Sequence, residues 1–109
     1  MRARTKAREI ALQLLYQLEM ISTDPAKTFD NYLAANPQEE ETAVFARSLI
    51  DGVLARVPDL DALLKKYVKN WDVSRMAAID RNILRLACFE LIYMQIDRIL
   101  LFPLIRLKH

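Results

Sequence analysis

Glycine is nearly absent from the sequence, with one residue in 109. Runs of alternating Val, Ile and Thr are also absent, whereas Leu and Ala are frequent. Because strands are rich in β-branched residues and Ala and Leu favour helices, this composition argues against a β-sheet protein. It predicts an all-α fold with a single, thin core.

Residue types that carry chemistry are scarce as well. The one cysteine, Cys88, cannot form an internal disulfide and is expected to be a small core residue. The one histidine, His109, is the last residue and a poor general base or metal ligand. The sequence has no Gly-rich phosphate loop and no Cys/His cluster. We therefore expect no enzyme, no metal site and no cofactor.

Long apolar runs are missing too. No run reaches the length of a membrane span, and the basic, then amphipathic, start does not resemble a signal peptide. These absences predict no membrane partner and a cytoplasmic protein.

The charges that are present are segregated along the chain. Residues 24–51 are acidic, and three consecutive glutamates, residues 39–41, are explained by the favourable position of acids in a first helical turn. The flanking regions are basic, through Arg2, Arg4, Lys6 and Arg8 on one side and Lys65, Lys66, Lys69, Arg75, Arg81 and Arg85 on the other. Segregation of this kind predicts a surface for an anionic polymer.

Hydrophobic periodicity predicts a series of helices. The first, over residues 5–20, buries a stripe of Ala7, Ile10, Ala11, Leu14, Leu15 and Leu18. The pairs Asp24-Pro25 and Asn36-Pro37 each predict a helix start. Pro58 is expected to break or kink the third helix, with Asp59 capping a fourth.

The polar face of the first helix is a candidate RNA-binding surface. Arg2 and Arg4 form a loose basic arm, and Lys6 and Arg8 extend it along the helix. Basic side chains neutralise phosphates, and Tyr16 offers a flat ring on which an unpaired base can stack. A solvated polar face with one amphipathic tyrosine explains the same spacing equally well.

Residues 79–94 predict a central helix, apolar over most of its circumference. Asp80 is expected to cap its start, and Asp80, Arg81, Asn82 and Arg85 share one polar arc. The arc is either the polar strip of a core helix or a face for a partner. Glu90 lies outside it, and we expect Glu90 to find a cation because burial of an unpaired carboxylate is costly.

Two motifs carry a resemblance to a known family. Residues 4–16, RTKAREIALQLLY, resemble the opening of the transcription antitermination factor NusB family. Residues 79–91, IDRNILRLACFEL, resemble its second signature, and Trp71 and Arg75 lie at a similar spacing. The match spans roughly residues 3–97.

The resemblance implies a NusB-like, all-α helical bundle of two lobes without enzymatic activity. It implies binding of single-stranded boxA RNA together with the ribosomal protein NusE, in the RNA polymerase antitermination complex that supports ribosomal RNA transcription. Its RNA-binding positions correspond to Arg4, Lys6, Arg8, Tyr16 and Tyr67, to which we add Arg2 of the arm. Asp80 and Arg81 match the start of the helix that contacts NusE, and Arg85 continues that strip.

The resemblance fails after Asp97. We expect an RNA-binding domain over residues 1–97, with an N-terminal lobe to about residue 70, an incomplete second lobe over 71–97, and an atypical tail over 98–109. One permitted codon string for residues 97–105 regains the family pattern when a single C is restored after the first codon. We therefore hypothesise a frameshift that leaves Ile83, Ala87, Phe89 and Leu91 partly exposed, lowers stability and permits a homodimer.

Two alternatives to RNA binding stay open. One is a helical protein-interaction module with an incidental basic arm, which predicts partner binding that is insensitive to salt. The other is a non-functional, truncated family remnant, which predicts a poorly folded product.

Overall fold

The computed structural model describes residues 2–94, which form α-helices, one π-helix and connecting turns, with no strand in that range. The all-α prediction is confirmed. The elements are α1 (Ala3–Met20), α2 (Pro25–Ala35), α3 (Glu40–Ala55), α4 (Val57–Tyr67), α5 (Ala78–Phe89) and a π-helix (Glu90–Met94). The proposed tail and its frameshift lie outside the described residues. None of the helices between residues 2 and 94 is long and apolar enough to cross a membrane.

The core is built on the packing of α1 against α3. The predicted stripe of α1 is buried at every position except Leu18, which is half-buried against the core. From α3, the buried apolar side chains are Ala46, Leu49, Ile50 and Val53. Phe29, Leu60, Leu86 and Phe89 complete one cluster from α2, α4 and α5. This cluster includes residues on both sides of the expected lobe boundary near residue 70, and the division into lobes stays a prediction.

Helix starts follow the sequence signals in part. Asp24 is the N-cap residue of α2 with Pro25 at its first position, as predicted. Pro58 lies in the first turn of α4, where its missing N–H costs no hydrogen bond, so the break before it is confirmed. The expectation that Asp59 caps α4 is wrong, because the N-cap residue is Arg56 and Asp59 lies within the first turn. The Asn36-Pro37 prediction is wrong, because α3 begins at Glu40. Asn36 instead closes α2, with its side-chain amide donating to the carbonyl of Tyr32.

Helix α5 packs against α1, α3 and α4, which fits a central helix, and its polar arc turns partly inward. Asn82 and Arg85 of the polar arc are buried, whereas Ile79, Ile83 and Leu91 are exposed. Exposure of Ile83, Ala87 and Leu91 was expected, but Phe89 is buried at 7% exposure. The polar side turns inward because charged side chains of α1 and α4 meet it there.

Candidate nucleic-acid interface

Cations occupy the beginning of α1. Arg2 is the N-cap residue, Arg4 is exposed, Lys6 is half-buried, and the first turn contains no acidic residue. The partial positive charge of a helix N-terminus disfavours cations, so this placement costs stability in the free protein. Lys6 has one carboxylate nearby, that of Glu9 at 4.0 Å. A bound polyanion would relieve this unfavourable concentration of positive charge.

An aromatic ring of α3 supports the basic start of α1. The guanidinium of Arg4 lies 4.9 Å from the centroid of the Phe45 ring, and that of Arg8 lies 6.0 Å from it. Both distances are within the range of cation–π attraction. Phe45 therefore orients two arginines at the beginning of α1.

Arg8 is engaged with Glu90 of the π-helix. Its Nε lies 3.0 Å from each carboxylate oxygen, and Nη2 lies 2.9 Å from Oε1. The hydrogen bond to Glu90 raises the pKa of Arg8, so the guanidinium is held in its charged form. The expectation that Glu90 would find a cation is confirmed. The Nε and Nη2 edge of the Arg8 guanidinium is therefore occupied by Glu90. Contact between Arg8 and RNA stays a prediction.

The two candidate stacking residues are exposed on different helices. Tyr16 lies on the outer face of α1, where Gln13 and Gln17 are also exposed. Tyr67 ends α4 and is 74% exposed, with the Lys66 ammonium 5.4 Å from its ring centroid. Both rings are accessible to an unpaired base, and Lys66 supplies a cation beside the second.

The Arg81 side chain makes several contacts within the protein and is not a free surface charge. It pairs with Glu19 near the end of α1, and its Nη1 donates to the backbone carbonyls of Val73 and Met76, at 3.1 and 2.6 Å. Asn82 donates to the same Glu19 carboxylate at 2.9 Å. Arg81 thereby ties together α1, α5 and the connection that precedes α5.

Arg85 lies inside the protein. It is 7% exposed, and its Nε and Nη2 each donate to one oxygen of Asp61 at 2.8 Å. Of the two interpretations of the polar arc, the polar strip of a core helix describes Arg85, because the α4 carboxylate draws it inward. Its predicted contact with a partner protein stays untested.

Asp80 remains on the surface, in the first turn of α5. The expectation that it caps the helix is wrong, because the N-cap residue is Ala77, whose carbonyl accepts from Arg81 N–H. The carboxylate still lies where the helix dipole favours it. Asp80 is thus the exposed member of the predicted partner strip.

The partners of these arginines were not identified from the sequence. Glu19 and Asp61 read as solvent-facing charges on their own helices, and nothing local indicates that they face α5. The sequence does indicate that partners are needed, because α5 combines a largely apolar surface with arginines that a core helix cannot bury unpaired. Within residues 2–94, no group of three or more His, Cys, Asp and Glu side chains is arranged to hold a metal ion.

Comparison with known proteins adds family information to this geometry. The model of the NusB family matches residues 5–98. The transcription antitermination protein NusB of Desulforamulus reducens is 44% identical over 93 residues, which cover 83% of this chain and 63% of that protein. The NusB of Myxococcus xanthus is 41% identical over 97 residues, covering 85% of this chain and 69% of the relative.

A solved structure matches the fold as well. A crystal structure of the antitermination factors NusB and NusE in complex with dsRNA aligns with a TM-score of 0.76 and 26% sequence identity. The alignment covers 87% of this chain and 70% of the solved chain. The present chain therefore spans roughly two thirds of the length of the proteins that it matches.

Proposed function

The chain belongs to the NusB family, and we propose that it acts as a transcription antitermination factor in the cytoplasm. It binds boxA-type single-stranded RNA together with the ribosomal protein NusE, within the RNA polymerase antitermination complex, and supports ribosomal RNA transcription. The proposal includes no catalytic activity and no cofactor, in keeping with relatives that are antitermination proteins.

The observation that carries the proposal is the basic start of α1. Arg2, Arg4 and Lys6 stand at a helix end where the dipole disfavours them, and no acid shares their turn. Phosphates supply the missing negative charge, and each neutralised phosphate contributes salt-dependent affinity. The solved relative that forms a complex with NusE and dsRNA supports RNA as the polyanion.

Base recognition in this proposal rests on two tyrosines. Tyr16 and Tyr67 are both exposed, and neither ring is needed to fill the core. Stacking of unpaired bases on such rings favours single-stranded over duplex RNA. Asp80 presents a carboxylate for NusE at the start of α5, while Arg81 holds that end of the helix in place.

The test is fluorescence anisotropy of a labelled, single-stranded boxA-like RNA at several salt concentrations, with and without NusE. We expect binding that weakens as salt increases and strengthens with NusE. Arg4→Ala should reduce affinity and the salt slope, whereas Lys27→Ala, which removes an exposed charge from α2, should change neither. A duplex of the same sequence is the control for stacking. Absence of salt-dependent binding by a folded sample would overturn the proposal.

The exposed apolar residues of α5 favour a second candidate, a helical protein-interaction module. Ile79, Ile83 and Leu91 are exposed along one side of the helix and the π-helix that follows it. This candidate predicts salt-insensitive partner binding without RNA affinity. The same titrations distinguish the two functions.

A further inference from the structure

The Arg8–Glu90 pair joins two elements that are far apart in the sequence. Nε and Nη2 of Arg8 both point at the Glu90 carboxylate, with distances of 2.9 to 3.0 Å. The Glu90 side chain is 20% exposed and that of Arg8 is 42% exposed, so water reaches the pair from the arginine side. A two-pronged, charge-assisted contact of this kind fixes orientation as well as distance.

Within residues 2–94, this pair is one of two side-chain ties that join α1 to α5 or the π-helix. At the opposite end of the helix, Glu19 accepts from Arg81 and Asn82 of α5. Because Arg8 precedes Glu19 on α1 and Arg81 precedes Glu90 on the partner segment, the two segments run antiparallel. Two ties separated by about three helical turns fix both the rotation and the sliding of α1 against α5.

The rotation of α1 decides where the candidate RNA contacts point. Arg4, Lys6 and Tyr16 all project from α1, whereas Tyr67 projects from α4. Helix α4 is itself tied to α5 through Asp61 and Arg85. The spacing between these α1 side chains and the Tyr67 ring therefore depends on the contacts between α1, α5 and the π-helix.

Glu90 also neutralises one of the two cations that lie near the Phe45 ring. Arg4 and Arg8 lie over the same Phe45 ring, at 4.9 and 6.0 Å from its centroid. Like charges beside one ring repel each other, and the Glu90 carboxylate offsets that repulsion from the Arg8 side. Arg4 can then stay against Phe45 with its charge available to a ligand.

We propose that Glu90 is a positioning residue for RNA binding, which holds Arg8 in a fixed contact between α1 and the π-helix. The phosphate contacts are made by Arg2, Arg4 and Lys6. The inference rests on the proposed RNA-binding function. It assigns a role to Glu90, and it changes the role of Arg8 from a phosphate contact to an internal tie. The competing model is that Glu90 occupies the phosphate site of Arg8 and leaves when RNA binds.

The experiment is a double-mutant cycle on the full chain, with boxA-like RNA affinity and its salt slope as readouts. The variants are Arg8→Ala, Glu90→Gln, their combination, and the charge swap of Arg8→Glu with Glu90→Arg. Each single variant should weaken binding about three- to tenfold, and the combination should be no weaker than the worse single variant. The salt slope should stay unchanged, and the charge swap should recover most of the affinity.

Arg4→Ala is the matched control for a direct phosphate contact, and it should lower the salt slope by about 0.7. Circular dichroism and thermal melts of every variant identify the temperatures at which the native state predominates. The titrations are carried out at those temperatures. Under these conditions, a pair that contributes only to overall stability would shift the melting temperature and leave RNA affinity unchanged.

Four results would overturn the inference. Tighter binding by Glu90→Gln, with a steeper salt slope, would establish competition with phosphate. A shallower slope for Arg8→Ala, without rescue by the charge swap, would establish a direct phosphate contact. An RNA affinity that is the same in Glu90→Gln as in the unaltered chain would rule out the positioning role alone. A folded, unaltered chain that binds no RNA would overturn the proposed function as well.

Discussion

The aromatic ring of Phe89 in α5 lies directly against Gly52 in α3. A Cβ atom built on Gly52 would lie 2.0 Å from Cζ of Phe89 and 2.6 Å from Cε1, well inside van der Waals contact. Glycine in the middle of a helix costs about 1 kcal/mol relative to alanine. The chain's one glycine is therefore explained by the close approach of α3 and α5, which leaves no room for a side chain beside the Phe89 ring.

The first prediction is that Gly52→Ala destabilises the protein by about 1–3 kcal/mol, although alanine favours helix. The added methyl group must displace the Phe89 ring, which also stacks on Tyr93 at 5.8 Å between centroids. Urea denaturation followed by circular dichroism measures the change. In a Phe89→Leu background the same substitution should cost less, and an unchanged cost there would contradict the proposed clash.

The elements predicted best from the sequence are those whose signals are local. The stripe of α1, the Asp24-Pro25 start and the break at Pro58 all depend on residues within a few positions of one another. The inward orientation of α5 could not be predicted in this way. It depends on Glu19 and Asp61, which are distant in sequence and resemble ordinary surface charges on their own helices.

The candidate site shows the same division. Exposure of Tyr16 agrees with the polar face predicted for α1, and Arg4 is exposed in the first turn of that helix. Tyr67 follows the helical spacing of the apolar stripe of α4, yet its side chain is exposed. The engagement of Arg8 could be anticipated only from Glu90, because a carboxylate outside the polar arc needed a cation, and the pattern did not identify which cation. The contact of Phe45 with two arginines could not be predicted, since a ring beneath two arginines and a ring inside the protein have the same helical spacing.

The second prediction concerns the buried pair of Arg85 and Asp61. Asp61→Ala leaves the Arg85 guanidinium inside the protein without its partner, and we expect a loss of about 3 kcal/mol. The matched control is Asp51→Ala, which removes a carboxylate from an exposed pair with Arg47 and should change stability by less than about 0.5 kcal/mol. Equal effects in chemical denaturation would show that the pair contributes no more than a surface contact.

The third prediction separates stacking from stability at Tyr67. Because its side chain is exposed, Tyr67→Ala should leave the free energy of unfolding within about 0.5 kcal/mol of the unaltered chain. The same change should weaken binding of single-stranded RNA by about 1–3 kcal/mol if one base stacks on the ring. Tyr67→Phe keeps the ring and should retain the affinity; a loss as large as that of the alanine variant would assign the contribution to the hydroxyl group.

The fourth prediction is self-association through the exposed apolar face of α5 and the π-helix. Ile83 and Leu91 are both exposed, the latter at 63%, and residues of this kind on one helical face promote contacts between molecules. Sedimentation equilibrium should reveal association that increases with protein concentration and decreases in Ile83→Gln and Leu91→Gln. Val44→Gln removes an equally exposed side chain from α3 and should have no effect. A monomer at all concentrations would contradict the prediction.

The fifth prediction uses Cys88 as a reporter of the same face. Burial raises the pKa of its thiol, so less of it is thiolate at a given pH than in an exposed cysteine. Disulfide exchange with a chromogenic reagent should be slow at pH 8 and accelerate as pH rises through the raised pKa, whereas the urea-unfolded chain should react faster.

Cys88 lines a groove between α4 and α5 together with Leu63, Leu84 and Leu91. If molecules associate through this face, the thiol becomes less accessible as protein concentration increases, and the rate should fall. Ile83→Gln should abolish the concentration dependence while leaving the slow, pH-dependent reaction of the monomer, because burial within one molecule is unaffected. A rate that is independent of concentration in both proteins would place any self-association elsewhere on the surface.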